Sequence, residues 1–147
     1  MWSGEARISP QPWPWPGHPR VLIEHADESV GMRLAADLRQ AGYAVAVCPG
    51  PAQSARCPLA GDEGCEVAHG ADVIVSSLGL GTPQSREVLE ALRARCAGTP
   101  LVVEVAAAEQ DEWADLLRGC EVVVSPVSPD ALVAAVRGVL ATGAREG

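Results

Sequence analysis

Five short apolar runs rich in β-branched residues alternate with amphipathic stretches, and this alternation restricts the fold more than any other feature. Runs of this kind are typical of buried strands; they are Val21–Ile23, Tyr43–Cys48, Asp72–Leu78, Leu101–Val105 and Cys120–Ser125. Strands that alternate with helices pair in parallel, with helices covering both faces of the sheet. The sequence therefore predicts an α/β domain with a doubly wound, five-stranded parallel sheet.

Apolar residues recur at helical spacing between these runs, and capping residues mark the ends of the predicted helices. Gly42 follows the first helix as a C-terminal cap. Thr82 and Ser128 each precede a proline, as N-caps do. A further helix is predicted over 108–118. Residues 49–70 are rich in Pro and Gly, so we expect an irregular segment with one or two short helical turns.

The chain divides by composition into a Pro/Trp-rich extension (1–19), a regular domain (20–142) and a short tail (143–147). Proline fixes the backbone and removes hydrogen-bond donors, so the extension is predicted to be extended or polyproline-like. Two alternatives follow for it. Either it makes no fixed contact, or Trp13 and Trp15 dock on the domain or on a partner, because exposed indoles are costly to leave in water.

The charge balance excludes several classes of function. The formal net charge is −8, all 11 basic residues are Arg, and there is no Lys. We expect no nucleic-acid and no membrane partner, because both need clustered positive charge. No run approaches the roughly 20 apolar residues of a membrane span, and the N-terminal sequence lacks the pattern of a signal peptide. The sequence therefore predicts a cytoplasmic protein.

Motifs of the common α/β enzymes are missing at the expected places. The first strand is followed by HADESVG, not by the glycine pattern of a dinucleotide site. The GLGT loop after the third strand is a weak phosphate-loop signal that a plain turn explains better. No nucleophile elbow surrounds Ser76 or Ser77. We therefore expect no enzymatic activity.

The stretch from Arg20 to Ala141 resembles a response-regulator receiver domain in the order and spacing of its parts. The segments that carry the resemblance are RVLIEHADESVGMRLAADLRQAGYAVAVC, ADVIVSSLGLG, TPLVVEVAA and CEVVVSPVSPDALVAAVRGVL. The resemblance implies the strand order 2-1-3-4-5. It also implies a role in two-component signal transduction, with a pocket for phosphorylation at the carboxyl ends of the strands.

The residues of that pocket are replaced throughout. Receivers carry two Mg²⁺-binding acids, a phospho-accepting Asp, a Thr or Ser, and a Lys in this pocket. The residues at the matching positions here are, in the same order, His25 and Ala26, Ser77, Val105, and Ser125. A carboxylate is needed for the acyl phosphate, and clustered carboxylates for the metal. The sequence therefore predicts a pseudo-receiver: a phosphorylation-independent module for protein interaction or regulation.

Two groups of residues suggest small sites. Glu24, His25 and Glu104 lie at predicted strand ends and would line a polar ligand pocket, or Glu24 and Glu104 simply pair with Arg or water. By the resemblance, Trp113 on the fourth helix either packs in the core or anchors a protein contact. Such a contact would be with a protein partner, either another protein or a second copy in a homodimer, through the face formed by helix 4, strand 5 and helix 5.

The cysteines suggest an alternative function. Cys48, Cys57 and Cys65 lie near His69, in or beside the irregular segment. Their spacing is unlike that of common zinc motifs, so we expect no cofactor. We expect instead that these thiols pack in the interior. The alternative is a thiol-based metal or redox sensor in which these four residues bind Zn²⁺ or an Fe–S cluster, or Cys57 and Cys65 form a disulfide. Cys96 and Cys120 lie in apolar contexts and are assigned to the core.

Overall fold

The computed structural model describes residues 13, 17–48 and 65–146. Its strands are β1 (Arg20–His25), β2 (Ala44–Cys48), β3 (Val73–Ser77), β4 (Leu101–Val105) and β5 (Glu121–Val124). They form a five-stranded parallel sheet in the order β2-β1-β3-β4-β5. The predicted fold class and strand order are confirmed.

The described part of the chain has five helices, of which the first four lie between successive strands and the last follows β5. They are α1 (Glu28–Gln40), α2 (Glu66–Gly70), α3 (Pro83–Arg95), α4 (Ala107–Glu112) and α5 (Pro129–Glu146). The predicted caps are confirmed. Thr82 Oγ1 accepts from the Ser85 N–H at 3.2 Å, and Ser128 Oγ accepts from the Ala131 N–H at 3.1 Å. Gly42 has a φ of +105°, a backbone conformation that favours glycine, directly after the end of α1.

The sheet has a separate apolar core on each face because successive strand residues point to opposite sides. Val21 and Ile23 of β1 pack with Leu38 of α1 and Leu132 of α5. Leu22, between them, packs on the other face in a cluster that includes α3 residues such as Leu89 and Leu92. The helices thus cover both faces, and the carboxyl ends of all five strands lie along one edge.

The fourth helix is shorter than predicted. Regular helix ends at Glu112, and residues 113–119 form turns where the sequence predicts helix to 118. No residue of α4 is buried, and in the following turns only Leu117 is. A helix without a buried apolar stripe gains little from packing, which is the main source of helix stability in proteins.

Trp13 docks on the domain, as one of the two alternatives for the extension predicts. Its side chain is only 8% exposed, and its Nε1–H donates to the Val67 carbonyl at 3.2 Å. The indole also lies directly against Gly70, where an added Cβ would be 2.9 Å from Cδ1 and Nε1. Trp15 lies outside the described residues.

Some predictions concern residues that the structure does not describe, or limits that it does not test. Residues 49–64 of the predicted irregular segment, including Cys57, lie outside the described ranges, whereas α2 is a short helical turn of the expected kind. The limits of the extension, domain and tail stay a prediction. Among the described helices, none is long and apolar enough to cross a membrane.

Candidate functional site

The residues predicted to replace the phosphorylation pocket lie at the carboxyl ends of the strands. His25 and Ser77 are paired residues of β1 and β3. Val105 ends β4, and its carbonyl accepts a hydrogen bond from the Ser125 N–H at 2.8 Å. Ala26 follows β1 and is exposed. The structure thus places all five positions along the same edge of the sheet, at the ends of adjacent strands.

The acidic residues that follow β1 serve helix α1. Asp27 is its N-cap, and Asp27 Oδ1 accepts from the Val30 N–H at 3.3 Å. Glu28 is exposed in the first turn, where a negative charge favours the helix dipole. The Asp27 N–H in turn donates to His25 Nδ1 at 3.0 Å, which fixes the ring. Carboxylates near the receiver's metal position are therefore engaged in helix capping.

Ser77 is buried at the position that matches the phospho-accepting Asp. It is 9% exposed, and its hydroxyl oxygen has no hydrogen-bond partner among the described residues. A hydroxyl in this place is neutral and has one oxygen, whereas an aspartate is charged and has two. The position of the phospho-accepting Asp therefore lacks the carboxylate that an acyl phosphate requires.

Glu104 binds the turn that follows β5. Its Oε2 accepts from the Val127 N–H at 3.1 Å, just after the cis Ser125–Pro126 bond. Its Oε1 is buried and has no partner within the described ranges. Since Val103 of β4 pairs with Ser76, the next residue, Glu104, lies level with Ser77. A carboxylate oxygen and a hydroxyl, each buried and without a hydrogen-bond partner among the described residues, therefore lie level with each other on adjacent strands.

Glu24 lies on the opposite face from His25, so the predicted ligand pocket is divided between the two faces of the sheet. His25 Cβ approaches Gly31 of α1, where an added Cβ would be 3.1 Å away. Glu24 pairs with Cys48 of β2 and Ser76 of β3. Because it is two residues after Leu22, it lies on the same face of the sheet as Leu22, which packs against α3. Its side chain is 3% exposed, and burial raises its pKa from 4.5 to about 7.

The predicted metal-binding residues are placed as follows. Cys48 is half-buried at the end of β2, Cys65 precedes α2, and exposed His69 lies on α2. Cys57 is outside the described residues. Within the described ranges, no group of three or more Cys, His, Asp or Glu side chains is arranged to hold a metal ion. The metal alternative therefore stays a prediction.

Cys96 makes a contact with His69 that the sequence analysis does not predict. It is buried, as predicted, but its Sγ lies 3.8 Å from His69 Nδ1. No local signal in the sequence shows this contact, because it depends on how α2 packs beside the end of α3. Cys120 is half-buried; burial raises its pKa, and the nearby Arg93 guanidinium opposes this.

Glu109 and Arg86 connect two loops at the strand-end edge, and the sequence analysis misses both. Glu109 Oε2 accepts from the Leu80 N–H at 3.2 Å, and its Oε1 from the Ala106 N–H at 3.0 Å. Arg86 Nη1 donates to the Leu80 carbonyl at 2.7 Å. Its guanidinium lies 4.4 Å from the ring centre of half-buried Trp113. These contacts join the β3–α3 loop to the start of α4.

Comparisons with known proteins give matches in structure only. No protein-family model and no curated protein sequence matches the chain. A CheY-like receiver domain protein from Methanospirillum hungatei JF-1 matches with a TM-score of 0.67 and 18% identity, over 89% of this chain and 100% of that one. A receiver domain protein from Clostridium thermocellum matches with a TM-score of 0.66 and 12% identity, over 88% and 99%.

A third similar structure carries a different description from the first two. It is a putative pilus assembly-related protein from Burkholderia pseudomallei K96243, with a TM-score of 0.65 and 22% identity, over 86% of this chain and 92% of that one. The matches cover nearly the whole length of these proteins. The chain therefore has the fold of the CheY-like response-regulator receiver domains.

Proposed function

We propose that this chain is a phosphorylation-independent, receiver-like module that acts through protein contacts in cytoplasmic signal transduction, without enzymatic activity. One observation carries the proposal. Ser77, at the position of the phospho-accepting Asp, is a buried hydroxyl beside the imidazole of His25. Neither group can form the acyl phosphate on which receiver switching depends.

The remaining parts of the pocket support the same proposal. A hard cation such as Mg²⁺ prefers oxygen ligands, chiefly carboxylates. The nearest acid after β1, Asp27, caps α1 instead. Ser125 stands where a cation would contact the phosphoryl group, and its exposed side chain carries no charge. The chain thus lacks the usual residue for each of three tasks: binding the metal ion, accepting the phosphoryl group and contacting its negative charge.

The hydrogen bonds between the β3–α3 loop and the start of α4 favour a single conformation of this part of the domain. Glu109 holds the backbone of both Leu80 and Ala106, and Arg86 holds Leu80 from its carbonyl side. Charge-assisted hydrogen bonds of this kind are stronger than neutral ones. We infer that the β3–α3 loop and the start of α4 stay together, so the surface that a partner would meet has a constant shape.

We place the partner surface on α4, β5 and α5, and the partner is a second copy of the chain. β5 is an edge strand, and Val124 at its end is 46% exposed. Asp111 and Glu112 are exposed on α4, whereas Arg137 is exposed on α5. A two-fold arrangement would bring these opposite charges together around Val124. We place the anchor at Val124 and not at Trp113, because Trp113 is half-buried against the apolar cluster and stacks with Arg86.

Amide hydrogen exchange with a phosphoryl mimic tests the proposal. We would compare the full chain alone with the chain in Mg²⁺ and beryllofluoride, which binds aspartate carboxylates of active receivers. We expect unchanged exchange in the β3–α3 loop and at the start of α4. Protection that appears only with both reagents at the strand-end edge would overturn the proposal.

The alternative thiol-based sensor has a separate test. Metal analysis and the absorption spectrum of anaerobically purified chain would reveal bound Zn²⁺ or an Fe–S cluster. Stoichiometric metal that is lost when Cys48, Cys57 and Cys65 are replaced by Ser would favour the sensor. Metal-free protein would remove the metal part of this alternative.

A further inference from the structure

Cys65, His69 and Cys96 are neighbours where α2 packs beside the end of α3. The His69 N–H donates to the Cys65 carbonyl at 3.0 Å, so these residues are one helical turn apart and on the same side of α2. His69 Nδ1 lies 3.8 Å from Sγ of Cys96, the C-cap of α3. Both cysteines are reduced and pack against the same apolar cluster. The imidazole therefore adjoins the Cys96 thiol, and Cys65 lies one helical turn before it in the same apolar cluster.

The three side chains differ in their access to solvent. Cys65 is half-buried and His69 is exposed, but Cys96 is only 6% exposed. Burial raises the pKa of Cys96, and the nearby Cys65 and Glu24 raise it further. A reagent from solvent therefore meets Cys65 first, and Cys96 keeps its proton until a base accepts it.

We propose that Cys65 and Cys96 are a redox pair that a low-molecular-weight disulfide of the glutathione class oxidises to an intramolecular disulfide. The Cys65 thiolate attacks one sulfur of the reagent, the reagent's S–S bond breaks, and the first reagent thiolate leaves with the proton that Cys65 lost. Cys96 then gives its proton to His69 and attacks Sγ of Cys65. The second reagent thiolate leaves and takes the proton from His69. Two protein thiols are oxidised, and one reagent disulfide becomes two thiols.

The position of the pair gives the disulfide a structural consequence. A disulfide requires Cα atoms within about 7 Å, so the bond would hold Cys65 within that distance of Cys96. The helix that Cys65 precedes, α2, has only five residues, of which Ala68 alone is buried. The bond would fix α2 to the end of α3. Because α2 also contacts Trp13 through Val67 and Gly70, oxidation acts on the element that anchors the extension. This inference does not depend on the proposed function.

Peptide mapping of the full chain tests the inference. The reduced protein would be incubated with glutathione disulfide, remaining thiols alkylated in acid, and the chain digested with trypsin and a protease that cleaves before Asp. Cleavage before Asp62 separates Cys57 from Cys65, so each pairing gives a distinct cross-linked fragment. We expect the peptides of Cys65 and Cys96 to be joined, and two of the five thiols to be lost.

Variants test the assigned roles. Cys65→Ser and Cys96→Ser should each abolish the cross-link, whereas Cys120→Ser should retain it. His69→Gln should slow ring closure at least about tenfold and let the mixed disulfide on Cys65 accumulate. A cross-link of Cys65 to Cys57 or Cys48, a lasting mixed disulfide in the unsubstituted chain, or five unreacted thiols would overturn the inference. Mapping the unsubstituted chain decides the pairing even where a variant fails to fold.

Discussion

His25 and Ser77 lie opposite each other as paired residues at the ends of β1 and β3. The pairing puts an imidazole beside a hydroxyl at the centre of the edge where receivers bind metal and phosphoryl groups. The His25 ring accepts a hydrogen bond from the Asp27 N–H, and the Asp27 carboxylate caps α1. His25 and Asp27 thus stabilise the start of α1 at this edge.

Replacing Glu24 by Gln should change how stability depends on pH. Burial raises the folded-state pKa of Glu24 from 4.5 to about 7. The folded chain therefore binds the proton more tightly than the unfolded chain, and stability falls as pH rises from about 4.5 to about 7. The full loss is about 3 kcal/mol. Denaturant unfolding should show Glu24→Gln to be close to the natural chain at pH 4.5 and more stable than it at pH 8.

Glu121→Gln is the matched control for this measurement, because Glu121 is exposed at the start of β5. It should reproduce the pH dependence of the natural chain. An equal pH slope in Glu24→Gln and in the natural chain between pH 4.5 and 7 would show that Glu24 does not titrate in this range.

Trp13 and Gly70 should be energetically coupled. Trp13→Ala removes a buried indole and should lower the unfolding free energy by about 3 kcal/mol. Gly70→Ala places a Cβ 2.9 Å from the indole and should cost about 1–3 kcal/mol in the natural chain. In the Trp13→Ala background the same change should cost much less, because the clash is gone. Thermal and denaturant unfolding of the four chains gives the coupling energy.

Gly98→Ala is the control for this cycle, since no atom lies within 4 Å of its added Cβ. Its effect should be the same with Trp13 or Ala at position 13. Additive effects of Trp13→Ala and Gly70→Ala would mean that the indole does not dock against Gly70 in solution.

Glu109→Gln should loosen the connection between the β3–α3 loop and α4. The carboxylate accepts from both Leu80 and Ala106, and the neutral amide weakens both bonds. We expect a loss of about 1–2 kcal/mol and faster amide exchange at Leu80 and Ala106. Glu90→Gln, at an exposed position of α3 outside the proposed partner surface, should change neither quantity. Unchanged exchange at both amides in Glu109→Gln would contradict the proposed connection.

The sheet could be predicted closely from the sequence, because a strand buried on both faces needs a continuous apolar run. Leu101–Val105 is observed with the predicted limits. The strand order followed from the receiver resemblance, since nothing local encodes it. The fourth helix was less predictable: its few apolar residues fit a helical period to 118, but only packing decides whether the turns after Glu112 become helix.

The site was less predictable than the sheet. The positions of His25 and Ser77 follow from strand order, and so could be inferred. The contact of Cys96 with His69, and the contact of Glu109 with Leu80, join residues more than 20 positions apart in sequence and depend on helix packing. Such contacts have no signal in a single sequence.

Association through β5 should depend on Val124. We expect sedimentation velocity to show a dimer that dissociates on dilution and with added salt, because exposed charges contribute to the contact. Val124→Asp should shift the chain to monomer, since it places a charge at the apolar centre. Met32→Asp is the matched control, because Met32 is 49% exposed on α1, which is not one of the three elements of this face. A monomer at every concentration, or equal effects of both variants, would contradict the proposed partner surface.

The central claim is that this receiver fold works without phosphorylation, and intact-mass spectrometry after incubation with acetyl phosphate and Mg²⁺ tests it most directly. The account predicts an unchanged mass for the natural chain and for Ser77→Ala. A stoichiometric gain of one phosphoryl group by the natural chain, lost in Ser77→Ala, would contradict it.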